Sequence, residues 1–236
     1  MVLTPETPTT IIYPDSDGQP MADNTKQFQW IVTIKENLEI LFASQPDVFV
    51  AGDFLWYPVC GELTRQAPDV MVVFGRPKGH RGSYKQWEEE NIPVQVVFEI
   101  LSPGNRLKEM AKKFKFYERY GVEEYYIYDP DKNDLSGWWR SQEAGLEVIE
   151  DIHDWVSPRL GIRFHLTPET WEIYRPDGEK FLTSVELAQQ REQERQRAET
   201  ERQRADNILS QLEEEKQRYQ NLLQKLQEKG IDMEKL

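Results

Sequence analysis

Hydrophobic positions divide the chain into segments of different period. Phe28, Ile31, Ile34, Leu38 and Leu41 recur at helical spacing behind Asn24 or Thr25, either of which can cap a helix. Residues 48–51 and 70–74 are short, almost unbroken apolar runs, the pattern of buried strands, and Pro68-Asp69 opens the second. Residues 94–101 form a further buried run that Ser102-Pro103-Gly104 ends. Asn105 is placed to cap a helix reaching Tyr120, with Gly121 to terminate it. Residues 123–128 predict a third strand, and Asp129-Pro130-Asp131 turns the chain into an antiparallel strand over 135–140. The glycine-, proline- and glutamate-rich stretch 75–92 predicts a long loop. Residues 145–183 alternate short apolar pieces with turns such as Arg175-Pro176-Asp177-Gly178. Strand, helix and strand between 94 and 128 make a βαβ unit, so the expected fold class is α/β with a mixed sheet flanked by helices.

The two ends read differently. Residues 1–24 carry Pro5, Pro8, Pro14 and Pro20 and predict an extended, loosely ordered segment. From Ser184 the chain is dense in charge and almost free of Gly and Pro before Gly230, which predicts one long helix. Arg195-Gln196-Arg197-Ala198 recurs seven residues later as Arg202-Gln203-Arg204-Ala205. A heptad frame sets Leu209, Lys216 and Leu223 at a, and Leu212, Tyr219 and Leu226 at d. The same frame puts Ala198 and Ala205 at d but Arg195 and Arg202 at a, so the apolar seam is short and fades upstream. A coiled coil joining copies of the chain and a solvated single helix both remain open. The expected organisation is an N-terminal segment 1–24, a folded domain 25–183 and a helical tail 184–236.

Composition sharpens this division. The chain has 236 residues and a formal net charge of −13, and its mean hydropathy of −0.74 is too polar for one uniform globule. The tail holds 12 acidic and 10 basic residues, leaving 30 acidic against 19 basic upstream, so the domain carries about −11. That argues against binding nucleic acid by bulk charge alone but leaves room for a local basic groove. One cysteine, Cys60, excludes an intramolecular disulfide and a Cys-rich zinc site, and is expected to be a small buried apolar group. His80, His153 and His165 show no metal-binding spacing and are expected to be ordinary surface or core residues. No apolar run approaches the roughly 18 residues of a membrane helix, and the N-terminus lacks the features of a secretory signal, so a cytoplasmic protein without membrane contact is expected.

Candidate chemistry lies in the acids placed where burial is expensive. Glu99 stands inside a strand run and Asp69 at the mouth of another. A buried carboxylate needs a cation, either a side chain or a metal. Two carboxylates on neighbouring strands suit Mg²⁺, which takes oxygen ligands and keeps several waters; a carbonyl near Ile100 can supply a third ligand. On the helix 105–120, Leu107, Met110, Ala111, Phe114 and Tyr117 share the arc that faces the sheet. Lys108, Lys112 and Lys115 point away, while Lys113 falls at the margin beside Arg106 and Tyr120, the best placed of the four to reach the sheet edge. There it can orient water or stabilise charge on a phosphate. A structural ion pair of Glu99 with Lys113 or Arg106 accounts for the same spacing.

The stretches Ala67-Pro68-Asp69-Val70-Met71-Val72-Val73 and Val97-Phe98-Glu99-Ile100-Leu101-Ser102-Pro103, followed by Lys113-Phe114, Tyr117-Glu118 and Gly121-Val122-Glu123-Glu124-Tyr125, resemble the Uma-two family of bacterial endonucleases. That family is placed in the PD-(D/E)XK nuclease superfamily, with a restriction-endonuclease-like fold, and the resemblance spans roughly residues 25–180. It implies that Asp69 is the PD aspartate and Glu99 the acid of the (D/E)XK element, both binding the metal, and that the catalytic lysine has moved to Lys113, because Leu101 stands at the usual lysine position. Glu36 and Glu39 are the acids available on the first helix, and neither matches a motif. The implied activity is Mg²⁺-dependent hydrolysis of DNA. The alternative is a degenerate nuclease-fold scaffold or interaction protein, homo-oligomeric through its tail. A small-molecule enzyme has little support: there is no GxGxxG, P-loop or nucleophile–His pair.

Overall fold

In a computed structural model that describes residues 11–141 and 145–228, the Asn24 side chain accepts from the Gln27 amide and starts α1 (Thr25–Leu41). Then follow β1 (Val48–Gly52), β2 (Trp56–Tyr57), β3 (Val70–Phe74), β4 (Tyr84–Lys85), β5 (Val96–Ile100), α2 (Leu107–Arg119), β6 (Glu124–Asp129), β7 (Asp134–Arg140), β8 (Leu146–Val148), β9 (Arg163–Leu166), β10 (Trp171–Tyr174) and α3 (Ser184–Glu228). Two compact units result, the first ending at Thr183 and the second beginning at Ser184.

The main sheet has six strands in the order β1-β3-β5-β6-β7-β8. Only β5 and β6 are parallel, because α2 carries the chain from one to the other; the remaining pairs are antiparallel. β9 and β10 form a second, two-stranded antiparallel sheet, and β2 pairs with β4 in a third. The loop expected over 75–92 thus holds one short strand, β4.

Strand alternation sorts the core into two layers. Val70 and Val72, with Val96, Phe98 and Ile100, face α1, where Ile31, Ile34 and Leu38 are buried; Phe164, Trp171 and Ile173 extend this layer. Burial of each such side chain stabilises by about 1.5–3 kcal/mol. Met71, Val73 and Val97 face the other way with Phe49 and Ala51, and there they meet Tyr117 of α2. By the same period, Asp69 and Glu99 fall on the α2 side of the sheet.

The sequence expectations need correcting at several points. Phe28 is 47% exposed, because the polar Gln27 takes the inward position and donates from Nε2 to the Ile100 carbonyl. Asn105 does not cap α2: Arg106 is the N-cap residue, and Asn105 Oδ1 accepts from the Ser102 amide at 2.7 Å. Leu107 is 88% exposed and Ala111 is exposed. Of the expected arc, Tyr117 is fully buried and Phe114 packs against the second core layer, and Lys113 joins that face because it and Tyr117 both bond to a carboxylate on the sheet. Cys60 is exposed, carried outward by the turn before Gly61. Residues 11–24 contain no helix or strand yet are docked: Tyr57 OH donates to the Pro14 carbonyl and the Gly61 amide donates to Tyr13 OH, each at 2.7 Å. Pro5 and Pro8 lie outside the described residues.

The second unit is the 45-residue helix α3, about 70 Å long. Leu209, Leu212, Tyr219 and Leu222 are exposed along it. The expected stop at Gly230 lies outside the described residues. Among the described residues, no helix is long and apolar enough to cross a membrane.

Candidate active site

Three adjacent strands bring acids to one level. Gly52 pairs with Val70 and Val70 with Phe98; one step further, these registers set Asp53 opposite Asp69 and Asp69 opposite Glu99. Two backbone contacts mark that row: the Asp53 amide donates to the Asp69 carbonyl at 3.1 Å, and the Ile100 amide donates to Asp69 Oδ2 at 2.6 Å.

α2 closes the row from above. Lys113 and Tyr117 are one turn apart on its buried face. Lys113 Nζ lies 2.7 Å from Glu99 Oε2, and Tyr117 OH donates to Glu99 Oε1 at 2.5 Å. The Glu99 and Lys113 side chains are only 3% and 11% exposed. Each Glu99 oxygen keeps a second lone pair. The structure therefore brings together Glu99 and Lys113, with Asp69 at the adjoining backbone. Arg106, the other expected partner of Glu99, is exposed at the helix start.

Asp69, Asp53 and Lys113 also line a cleft of about 190 Å³, together with Asp17, Asp23 and Glu109. Five carboxylates therefore face one ammonium, and the titration behaviour reflects that excess. Burial pushes the Asp69 carboxyl up to about 8; the charge on Glu99 adds to the shift, while Lys113 and the Ile100 amide oppose it. Asp53 is raised for the same reasons, burial first and Asp17 next. Burial would lower Lys113, but Glu99 and Asp69 outweigh it and its pKa is raised, so the ammonium stays charged.

The chemistry of this donor set, mainly carboxylate oxygen, suits a hard divalent cation, while among the described residues no three of these acids bring ligand atoms within 4.8 Å of one another. Carboxylate oxygens dominate, and burial first, then the charge on Glu99, lets Asp69 hold a proton into the neutral range, a proton that a bound cation would displace. The buried Tyr125 hydroxyl, without a hydrogen-bond partner, stands within the field of Glu99 and Asp69. The Ile100 carbonyl, expected as a third ligand, accepts from Gln27 at 2.8 Å. Neither Glu36 nor Glu39 lines the cleft, and Glu39 pairs with Lys35 at 2.9 Å. The cleft acids that sequence reasoning missed are Asp17, Asp23, Asp53 and Glu109. Asp53 could have been found from its place directly after a strand ending in Gly52. Its φ of 45° departs from the strand and puts it in the left-handed region that a short acid tolerates.

A mixed sheet with one parallel pair, crossed by a helix and ending in a row of acids, belongs to the restriction-endonuclease-like class of α/β folds. The family model of Uma2, described as "Putative restriction endonuclease", matches residues 17–205, and the chain belongs to that family. Among solved structures, the chain is similar to a putative nuclease belonging to DUF820 from Anabaena variabilis ATCC 29413. Sequence identity is 17% over 57% of this chain and 72% of that one, with a TM-score of 0.43. No curated protein matches.

Proposed function

We propose that the protein is a Mg²⁺-dependent endonuclease that hydrolyses phosphodiester bonds in DNA. The observation that carries this reading is the acid row Asp53–Asp69–Glu99 with the Lys113 ammonium 2.7 Å from Glu99, beside an acidic cleft. Asp69 and Glu99 are the metal ligands, and Asp53 is the third acid placed to join them. Bound there, Mg²⁺ would supply an acidified water and neutralise phosphate charge. The protein's own groups do the rest. Glu99, itself held by Tyr117, keeps Lys113 at the sheet edge, and its ammonium would offset charge that builds on the scissile phosphate. Asp53, Asp69 and Glu109 line the cleft and repel a phosphate until a cation is present, which makes the site depend on its metal.

The α3 helix, with Leu209, Leu212 and Tyr219 exposed at heptad spacing, is proposed to join copies of the chain. Joining multiplies weak contacts and so compensates for a domain too acidic to hold DNA by charge.

The experiment is conversion of supercoiled plasmid to nicked and linear forms. Wild type should act with Mg²⁺ and not with EDTA, and Asp69→Ala should lose at least about a hundredfold in rate. Equal nicking by the two proteins would overturn the assignment.

A further inference from the structure

Away from the acidic cleft, the second sheet gathers two of the three histidines. Phe164 of β9 is fully buried, so alternation sends its neighbours Arg163 and His165 outward. The segment after β8 folds back onto that strand: the Phe164 amide donates to the Trp155 carbonyl at 2.9 Å, and Val156 bridges to Arg163. This return sets His153 and Asp154 against the outward face of β9. The His153 and His165 rings lie 4.8 Å apart. Asp154 stands between them, with Oδ1 3.0 Å from His165 Nδ1 and Oδ2 3.4 Å from His153 Nε2. One ligand atom from each of the three lies within 4.8 Å of the others. Asp154 adopts φ 57°, a left-handed conformation uncommon for a residue with a side chain, and there its carboxylate points between two imidazoles.

We propose that His153, Asp154 and His165 form a second metal site, selective for a borderline-soft divalent ion of the Zn²⁺ class and distinct from the oxygen-rich Mg²⁺ site. Neutral imidazole nitrogens and one carboxylate suit Zn²⁺ and are poor ligands for Mg²⁺. Zn–N and Zn–O bonds of about 2.0–2.2 Å place tetrahedral ligands roughly 3.3 Å apart, close to the separations of the carboxylate from each ring. Arg163 Nη1 lies 2.6 Å from Asp154 Oδ1, so the guanidinium holds one oxygen and leaves Oδ2 for the ion. All three ligand residues have solvent access, and water completes the coordination. An ion there would pin the segment after β8 to β9, with no part in the chemistry at Asp69.

The probe is Co²⁺ followed by Zn²⁺ competition on the full-length protein stripped with EDTA. Wild type should bind one equivalent with the visible absorption of low-symmetry Co²⁺, and Zn²⁺ should displace it. His165→Ala and His153→Gln should each weaken that binding by at least about tenfold, while Asp69→Asn keeps it. Both histidines have solvent access, so these two variants should retain the wild-type circular dichroism. Binding that survives both histidine substitutions, or that is lost in Asp69→Asn, would overturn the proposal without touching the nuclease reading. Mg²⁺-dependent nicking that persists in His165→Ala keeps the two sites separate.

Discussion

Asp69 is a buried carboxylate with one amide donor and one shared lysine, and its titration has consequences that can be measured without substrate. Its folded pKa near 8 lies above the roughly 3.9 of an unfolded aspartate. Between those values the folded chain binds a proton that the unfolded chain has released, so stability falls as pH rises. Asparagine removes that dependence and can still accept from the Ile100 amide. In EDTA, Asp69→Asn should melt with wild type near pH 4 and several degrees above it at pH 9; coincident melting curves at both pH values would contradict the burial argument. Substitution of Lys113 acts in the opposite direction on stability. Lys113→Met leaves Glu99 buried without its cation and should cost about 3–5 kcal/mol by urea denaturation. Adding Glu99→Gln should recover a large part of that loss, because an amide needs no counter-charge. At this scale the sequence was informative where expense was visible: an acid inside an apolar run announced both Asp69 and Glu99. Glu124, equally buried on β6, was passed over. It accepts from Ser157, Tyr126 and the Arg159 amide, and loop residues about 33 positions away leave no mark beside it in the sequence.

The elements transmit these residue-level facts. α2 holds Lys113 over Glu99 only if it ends on time, and Gly121 ends it. The φ at Gly121 is 90°, and the Val122 amide then returns to the Tyr117 carbonyl at 3.0 Å. In Gly121→Ala the new Cβ would sit in ordinary van der Waals contact with Pro93 at 3.6 Å, without a clash, so backbone strain alone acts. It should destabilise the protein by about 1 kcal/mol and lower nuclease rate through the displaced lysine. Urea curves and the plasmid assay check the two effects. Strand positions and the βαβ unit were legible because period and turn residues are local. The start of α2 and the first turns of its inward face were not. Leu107 and Ala111 obeyed the apolar arc in sequence, but the acceptor that orients the helix is Glu99, on another element. His153 and His165 read as ordinary surface or core residues for the same reason: only the return of the chain along β9 brings them together.

For the whole molecule, the net charge of −13 takes on a local meaning. Five of the domain's acids face one cleft with a single lysine, an arrangement that repels DNA until a cation is bound. Mg²⁺ affinity should therefore rise with pH as Asp69 loses its proton, and nicking should follow it. The tail is nearly neutral, and its proposed function is association. Leu209→Glu combined with Leu212→Glu should convert an oligomer into a monomer by light scattering and weaken DNA retention, leaving the metal site intact. The fading seam upstream of Ala205 was legible in the sequence; the number of chains it joins was not, since that depends on packing between copies.

The central claim is that the acids on these strands form a metal site, and magnesium binding tests it without knowledge of the substrate. Isothermal titration of Mg²⁺ into EDTA-stripped, then desalted, protein at pH 8 should show saturable binding in wild type and in His165→Ala, and none in Asp69→Asn. Unchanged binding in Asp69→Asn, or no binding in wild type, would contradict the account.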